Sequence, residues 1–275
     1  MAYLELKHVS FAYPQGPSVL DDISMNFELG ESVALIGQNG AGKTTTVKLM
    51  NGLLKPLTGT VSVDGASTAQ LQTSQVAEKV GYVFQNPNDQ IFQDSIRKEI
   101  AYGLVRNKVS KSLVDARVQA AAQLCGLADE LDTHPYDLPF SVRKFVTIAA
   151  VLVMDPQVLI LDEPTAGQDA PATERLGEIV QTAVGQGKTV ITITHDMEFV
   201  TSQFKRAIVM AHRRVLLDAA VQQVFNDDAV LKEANLQRPY IAQLARQLGV
   251  PEALTVSDLL SHDMKGAPPA NTRLE

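Results

Sequence analysis

Gly37 to Thr44 reads G-Q-N-G-A-G-K-T and meets every position of the pattern G-x-x-x-x-G-K-[ST]. Such a loop constrains the fold because it works only between a buried strand and a helix. Glu31 to Ile36 (E-S-V-A-L-I) is a short, apolar, β-prone run. Thr45 to Leu54 places Val47, Leu49, Met50, Leu53 and Leu54 as a helical apolar stripe. Strand, glycine loop and helix therefore follow in the required order. Gly37, Gly40 and Gly42, with Gln38, Asn39, Ala41 and Thr45 between and after them, let the backbone close around phosphate oxygens. The helix N-terminus adds unpaired N–H groups and a positive dipole end. The pattern assigns Lys43 to the β- and γ-phosphates and the Thr44 hydroxyl to Mg²⁺. The expected ligand is a nucleoside triphosphate.

At 275 residues the chain has room for one large domain, or one domain with an appendage. Hydrophobic residues make up 45% and charged ones 20%, a balance that predicts a folded core. A formal charge of −7 argues against nucleic acid as a partner, since no basic stripe would neutralise phosphates. Cys125 is the single cysteine, so an intrachain disulfide is excluded; a small buried apolar role in a reducing cytoplasm suits it. The N-terminus (M-A-Y-L-E-L-K-H) carries charges where a signal peptide needs apolar residues. The longest apolar run, Phe145 to Met154, is about half the length that crosses a bilayer. A soluble chain, free to dock on a membrane protein, is expected.

Leu4 to Tyr13, Ile23 to Leu29 and Gly59 to Gly65 read as strands of an N-terminal antiparallel β layer. Ser95 to Leu131 is dominated by helix formers and reads as a helical subdomain, about 95–155, inserted into a nucleotide-binding core. The core resumes with the strand Val158 to Leu161, the helix Ala170 to Val184 and the strand Thr189 to Thr194, the order of a parallel α/β sheet. Lys205 to Asp218 reads as a hairpin turning near His212-Arg213-Arg214. The predicted division is a core over 1–218, a helical appendage over 219–262 and a flexible tail over 263–275. No internal repeat is present.

Val158 to Thr165 reads V-L-I-L-D-E-P-T: four apolar residues deliver Asp162 and Glu163 to the C-terminal end of a buried strand, where ligands bind in open α/β sheets. Asp162 is placed to hold Mg²⁺ through its water shell, and Glu163 to polarise the water that attacks the γ-phosphate.

From Tyr3 to Asp218 the chain resembles the ATP-binding subunit of an ATP-binding cassette (ABC) transporter. The loop at Gly37 and L-I-L-D-E-P-T fit that family's two Walker motifs. The resemblance implies further roles. Gln85, after G-Y-V-F, matches the Q-loop glutamine that touches Mg²⁺ and the membrane partner. His195 in I-T-I-T-H-D matches the switch histidine that senses the γ-phosphate and supports Glu163. Asp169 in A-G-Q-D falls on the D-loop aspartate, with Gln168 where the family usually has leucine, and Tyr13 in S-F-A-Y-P matches the aromatic residue that stacks on adenine. Gln85 to Phe92 (Q-N-P-N-D-Q-I-F) resembles the corresponding region of energy-coupling factor (ECF) and cobalt/nickel-type importers. Leu236 to Leu248 resembles the C-terminal appendage of ECF ATPases, which helps to pair subunits there; packing on its own domain is the other reading.

One motif departs from the family. Where L-S-G-G-Q belongs, Leu138 is followed by Pro139, Phe140, Ser141 and Val142. In ABC dimers this segment grips the γ-phosphate held by the other subunit. Pro139 brings neither hydroxyl nor N–H, Phe140 puts bulk where glycine allows close approach, and Val142 removes an amide; Ser141 keeps a hydroxyl two positions away. The expectation is an asymmetric heterodimer with a different ABC ATPase subunit, one ATP site competent and the other weakened. The resemblance further implies a membrane scaffold subunit, a separate substrate-capturing membrane subunit, uptake of a vitamin or metal ion, and a place on the cytoplasmic face of the cell membrane. Two other readings stay open: a soluble ABC ATPase of translation or DNA repair, and a mainly regulatory nucleotide-binding subunit.

Overall fold

The computed structural model describes residues 2–266, with side chains to residue 261. Leu4–Ala12 (β1) and Ser18–Phe27 (β2) form an antiparallel pair. The chain then enters Ser32–Ile36 (β3), turns through the Gly37 loop into Lys43–Met50 (α1), and returns to the first layer as Thr58–Val63 (β4) and Ala66–Ser67 (β5). Thr73–Ala77 (α2) leads into Val80–Val83 (β6). Three helices follow, Ile96–Arg106 (α3), Lys111–Leu124 (α4) and Phe140–Leu152 (α5). Val158–Asp162 (β7), Ala170–Gly185 (α6), Thr189–Ile193 (β8), Met197–Gln203 (α7) and Arg206–Ala211 (β9) restore the α/β alternation, and Arg214–Ala220 (β10) closes it as a hairpin.

Two sheets result: an antiparallel one in the order β2-β1-β4-β5 and a larger one in the order β10-β9-β3-β8-β7-β6. All neighbours in the larger sheet are parallel except β10 on β9. β7 explains the stacking. Val158 and Ile160 point into a core shared with β1, β2, β4 and α1, whereas Leu159 and Leu161 point into a second core built with α3 to α6. The period-two alternation of a strand therefore feeds two separate cores, and an uninterrupted apolar run is what a strand buried on both faces requires.

Beyond β10, Val221–Asn226 (α8), Asp228–Glu233 (α9), Tyr240–Gln247 (α10) and Val256–Gly266 (α11) form the appendage. α10 docks through Ala242 and Ala245, while Tyr240, Leu244 and Leu248 line its outer face at 80%, 46% and 63% exposure. Packing of that apolar stripe on its own domain is thus not what the structure adopts. The Tyr240 N–H donates to Glu198 on α7 (2.8 Å), and Asp228 accepts from Arg238 and Arg246.

Some boundaries move. α1 stops at Met50, because Gly52 takes a positive φ and Asn51 accepts the Leu53 N–H, leaving Leu53 and Leu54 outside the helix. β10 continues to Ala220, so a boundary at residue 218 cuts a strand. α11 runs on to Gly266, into the segment 263–275 expected to be flexible; residues 267–275 of that segment lie outside the described residues.

β4 and β1 meet at Gly59, whose φ is +79° and where an added Cβ would overlap the backbone carbonyl oxygens of Lys7 and His8. Gly65 has a similar φ of +74° but open space around it. Gly59→Ala is expected to lower unfolding free energy by about 3 kcal/mol or more, and Gly65→Ala by only about 1 kcal/mol. Urea denaturation of the two variants checks this; equal losses would show that the backbone overlap at Gly59 is not decisive.

Candidate nucleotide site at the strand ends

Four neighbouring parallel strands, β3, β8, β7 and β6, end at one level. Leu35 lies opposite Ile193, Ile193 opposite Asp162, and Leu161 opposite Val83. The residues that follow these ends are the Gly37 loop, His195, Glu163 and Gln85. They surround a cavity of about 630 Å³, whose walls include Asn39, Gly40, Gly42, Lys43, Thr44 and Thr45 from the loop together with Gln85, Glu163 and His195. Val19 of β2 adds an apolar wall.

Not every residue expected at the site faces the cavity. Gly37 presses against the Met210 carbonyl, where a Cβ would overlap, and Ala41 is packed in the core. The carbonyls of Gly37 and Gln38 instead accept from the Lys43 ammonium at 2.6 and 3.1 Å, which fixes the curl of the loop. Tyr13 stands behind the lining, half exposed; its hydroxyl is 3.3 Å from Thr45 Oγ1 and its ring packs edge-on against Phe11. Asp169 is outside the cavity lining and caps α6, accepting the Ala172 N–H at 2.9 Å.

Asp162 is 2% exposed. Its Oδ2 accepts from the Tyr82 hydroxyl at 2.7 Å, whereas its Oδ1 is buried without a partner. Burial raises its pKa, against hydrogen bonds from Tyr82 and Thr44 and the charges of Lys48 and Lys43. Asp162 lies behind the lining residues; its orphaned carboxylate oxygen, with the Thr44 hydroxyl and the Gln85 amide on the cavity wall, is a hard-oxygen donor set that fits Mg²⁺.

Glu163 has a left-handed backbone, φ +49°. Its N–H donates to the Ile193 carbonyl at 2.8 Å, and its carboxylate accepts the His195 N–H at 3.3 Å, with His195 Nε2 at 3.1 Å from Oε1. Burial pushes Glu163 up to about 7, and Asp162 adds to this, while Lys43, the His195 N–H and Lys144 work against it. A carboxyl poised there can take a proton near neutrality. Burial, with Lys43 nearby, lowers the pKa of His195. Burial lowers that of Lys43, and Glu163 and Asp162 oppose the change.

Pro139 is the N-cap of α5 without a side-chain cap, and Phe140 is exposed. The Ser141 carbonyl accepts from Gln168 Nε2 at 3.1 Å. Sequence reasoning passed over several neighbours. Arg143 donates to the Leu138 and Tyr136 carbonyls and to Asn88 Oδ1, tying the head of α5 to the loop after Gln85. Glu99, buried, accepts the Phe92 and Gln93 N–H groups and closes that loop from the other end. Tyr82, whose hydroxyl donates to Asp162, lies within G-Y-V-F, where nothing local marks its partner. Lys144 follows Arg143 in the first turns of α5; its signal is a cation placed directly before residues that are all buried.

The family model for ABC transporters matches residues 20–166. An ABC transporter ATP-binding protein of Pyrococcus furiosus is 36% identical over 94% of this chain and 98% of its own length. The energy-coupling factor transporter ATP-binding protein EcfA2 of Acetivibrio thermocellus is 37% identical, covering 86% of this chain and 84% of the relative. Other curated relatives are longer, and the chain spans only 42% of one from Methanosarcina acetivorans. Among solved structures, cbiO1 of Clostridium perfringens, part of the ABC transporter complex cbiONQ, superposes with a TM-score of 0.76 at 33% identity, covering 89% of this chain and 99% of that one.

The Glu163 shift has a consequence for stability. Its folded pKa of about 7 lies above the ordinary 4.5, so the folded chain holds a proton that the unfolded chain has released. That contribution is complete below pH 4.5 and is lost as pH rises through 7. Between pH 5 and pH 8 the nucleotide-free chain is expected to lose about 1–2 kcal/mol more stability than Glu163→Gln, which has no proton to release, after allowance for solvent screening. Denaturation midpoints at the two pH values test it; parallel curves would show an ordinary carboxyl.

Proposed function

We infer the role of this chain from its family: it belongs to the ABC transporter ATP-binding proteins and is an ATPase of that kind. The observation that carries the rest is the convergence of the Gly37 loop, His195, Glu163 and Gln85 on one cavity at the ends of four adjacent strands. ATP lays its phosphates along Asn39 to Thr45, with Lys43 exchanging its loop carbonyls for phosphate oxygens. Tyr13 meets the adenine. Thr44, Asp162 and Gln85 hold Mg²⁺, which when bound neutralises phosphate charge and orients the γ-phosphate. Glu163 accepts a proton from the attacking water, and His195, hydrogen-bonded to Glu163, orients it and reads the γ-phosphate. Asp169 serves from its cap position, shaping the loop that faces a second subunit.

The chain acts as one ATPase of an ECF-type importer, peripheral on the cytoplasmic side of the membrane, with a scaffold subunit and a substrate-capturing subunit. Its likeness to EcfA2 and to cbiO1 supports this reading, as do the two ties that hold the Gln85 loop. The substrate class is a vitamin or a metal ion. The outward stripe Tyr240, Leu244 and Leu248 supports a role for the appendage in pairing subunits. Among the described residues no helix is long and apolar enough to cross a membrane.

Pro139 to Val142 support pairing with a different ATPase. An uncapped helix start bearing an exposed phenylalanine offers a partner's γ-phosphate little. A partner with an intact L-S-G-G-Q completes this chain's own site; the reverse site is the weak one. The same segment is what favours a second reading, a mainly regulatory subunit. The chain alone is expected to bind MgATP but hydrolyse it at least about tenfold slower than the complex with its partner, and Glu163→Gln in the complex is expected to remove most hydrolysis. Robust, Glu163-dependent hydrolysis by the chain alone would sink the heterodimer; a complex indifferent to Glu163→Gln would favour the regulatory reading.

A further inference from the structure

Lys144 lies on α5, five residues after Pro139, and is 3% exposed. Its ammonium donates to the carbonyl of Glu163 at 2.7 Å and to that of Ala166 at 2.8 Å. These carbonyls stand at the two ends of one turn, which the Ala166 N–H closes on the Glu163 carbonyl at 3.3 Å. The turn is strained at its start, where Glu163 has φ +49°, while Gly167 just beyond it takes φ +77° freely. The Glu163 N–H is already held by Ile193 at the end of β8. Glu163 is therefore gripped from behind at its N–H by the sheet and at its carbonyl by α5, which leaves its carboxylate aimed into the cavity beside His195.

A buried ammonium is costly unless acceptors and opposite charge surround it, and an unbranched apolar side chain would fill the same space without that cost. Burial lowers the Lys144 pKa, and the charges of Glu163 and Asp162 oppose that change. The charged groups around Glu163 are Lys43 at the start of α1, Asp162 at the end of β7 and Lys144 on α5, and His195 after β8 contributes its N–H.

We propose that Lys144 is a positioning residue for hydrolysis, clamping the Glu163–Ala166 turn so that the Glu163 carboxylate keeps its place over the cavity. The head of α5 thereby acts inward. Where Pro139 to Val142 do little for a partner's nucleotide, Lys144, with Gln168 on the Ser141 carbonyl, braces the acidic turn of its own chain. This inference rests on the reading of Glu163 as the base.

The test is steady-state ATP hydrolysis by the full chain in its assembled complex, comparing wild type, Lys144→Met, Lys144→Gln and Glu163→Gln. Lys144→Met keeps the length and loses the donors. It is expected to lower kcat by roughly tenfold or more with KM for ATP within about twofold, because the clamp acts on the reacting group and not on nucleotide binding. Lys144→Gln keeps N–H donors without charge and is expected to stay within about threefold of wild-type kcat. Lys144→Met with wild-type kcat beside a dead Glu163→Gln would overturn the inference and leave the reading of Glu163 standing. Activity retained by Glu163→Gln would overturn both. Equal losses in Lys144→Met and Lys144→Gln with a raised KM would reduce Lys144 to a structural residue and also overturn it. If Lys144→Met does not accumulate, Lys144→Gln decides: near-wild-type kcat supports the clamp, and a large kcat loss at an unchanged melting temperature refutes it.

Discussion

The site exists because four parallel strands stop at the same height. A parallel sheet sends each connection away from the strand ends and back to the far edge, so residues distant in sequence meet only where neighbouring strands terminate together. Here Ile193 lies between Leu35 and Asp162 in register, and Leu161 beside Val83. Slipping any of these pairings by one residue would exchange the faces of a strand that feeds two cores, so the apolar side chains below the site enforce the alignment above it. Packing energy thus becomes positional accuracy for a loop, a histidine and two acids, of which only His195 and Glu163 meet across strands by a direct hydrogen bond.

Charge is the second constraint. Lys43, Lys144, Asp162 and Glu163 are each under 10% exposed, two cations facing two anions in a region that water largely leaves. None would be tolerated there singly. Three of them spend hydrogen bonds on fold elements: Lys43 on its own loop, Lys144 on the acidic turn, and Asp162 on the Tyr82 hydroxyl. Orphaned Asp162 Oδ1 and the raised Glu163 are what remain available for a ligand and a proton. Structure and chemistry draw on the same four groups, which is why a change at one alters the others.

Much of this was legible in the chain itself, for physical reasons. The V-L-I-L-D-E run announces a strand buried on both faces with acids at its end, and G-Q-N-G-A-G-K-T between an apolar run and a helical stripe points to a phosphate-wrapping loop. What stayed hidden depends on tertiary contact. α7 has seven residues, too few for a periodic signal, and only Phe199 and Val200 are buried. Nothing near Tyr82 in the chain points to Asp162, eighty residues on, whose carboxylate its hydroxyl meets. Asp169 read as a site residue by its motif, whereas the fold first uses it as a helix cap. Lys144 stands beside Arg143 just before an apolar run, and a local reading places such a lysine in solvent; only the turn across from it gives its ammonium a buried partner.

α10 inverts the usual arrangement of a surface helix, putting alanines inside and Tyr240, Leu244 and Leu248 outside. The drive to cover such a surface is entropic near room temperature and weakens on cooling, while excluded salts such as sulfate strengthen it. Any contact made through this stripe is therefore expected to tighten with warmth and with sulfate and to loosen in the cold.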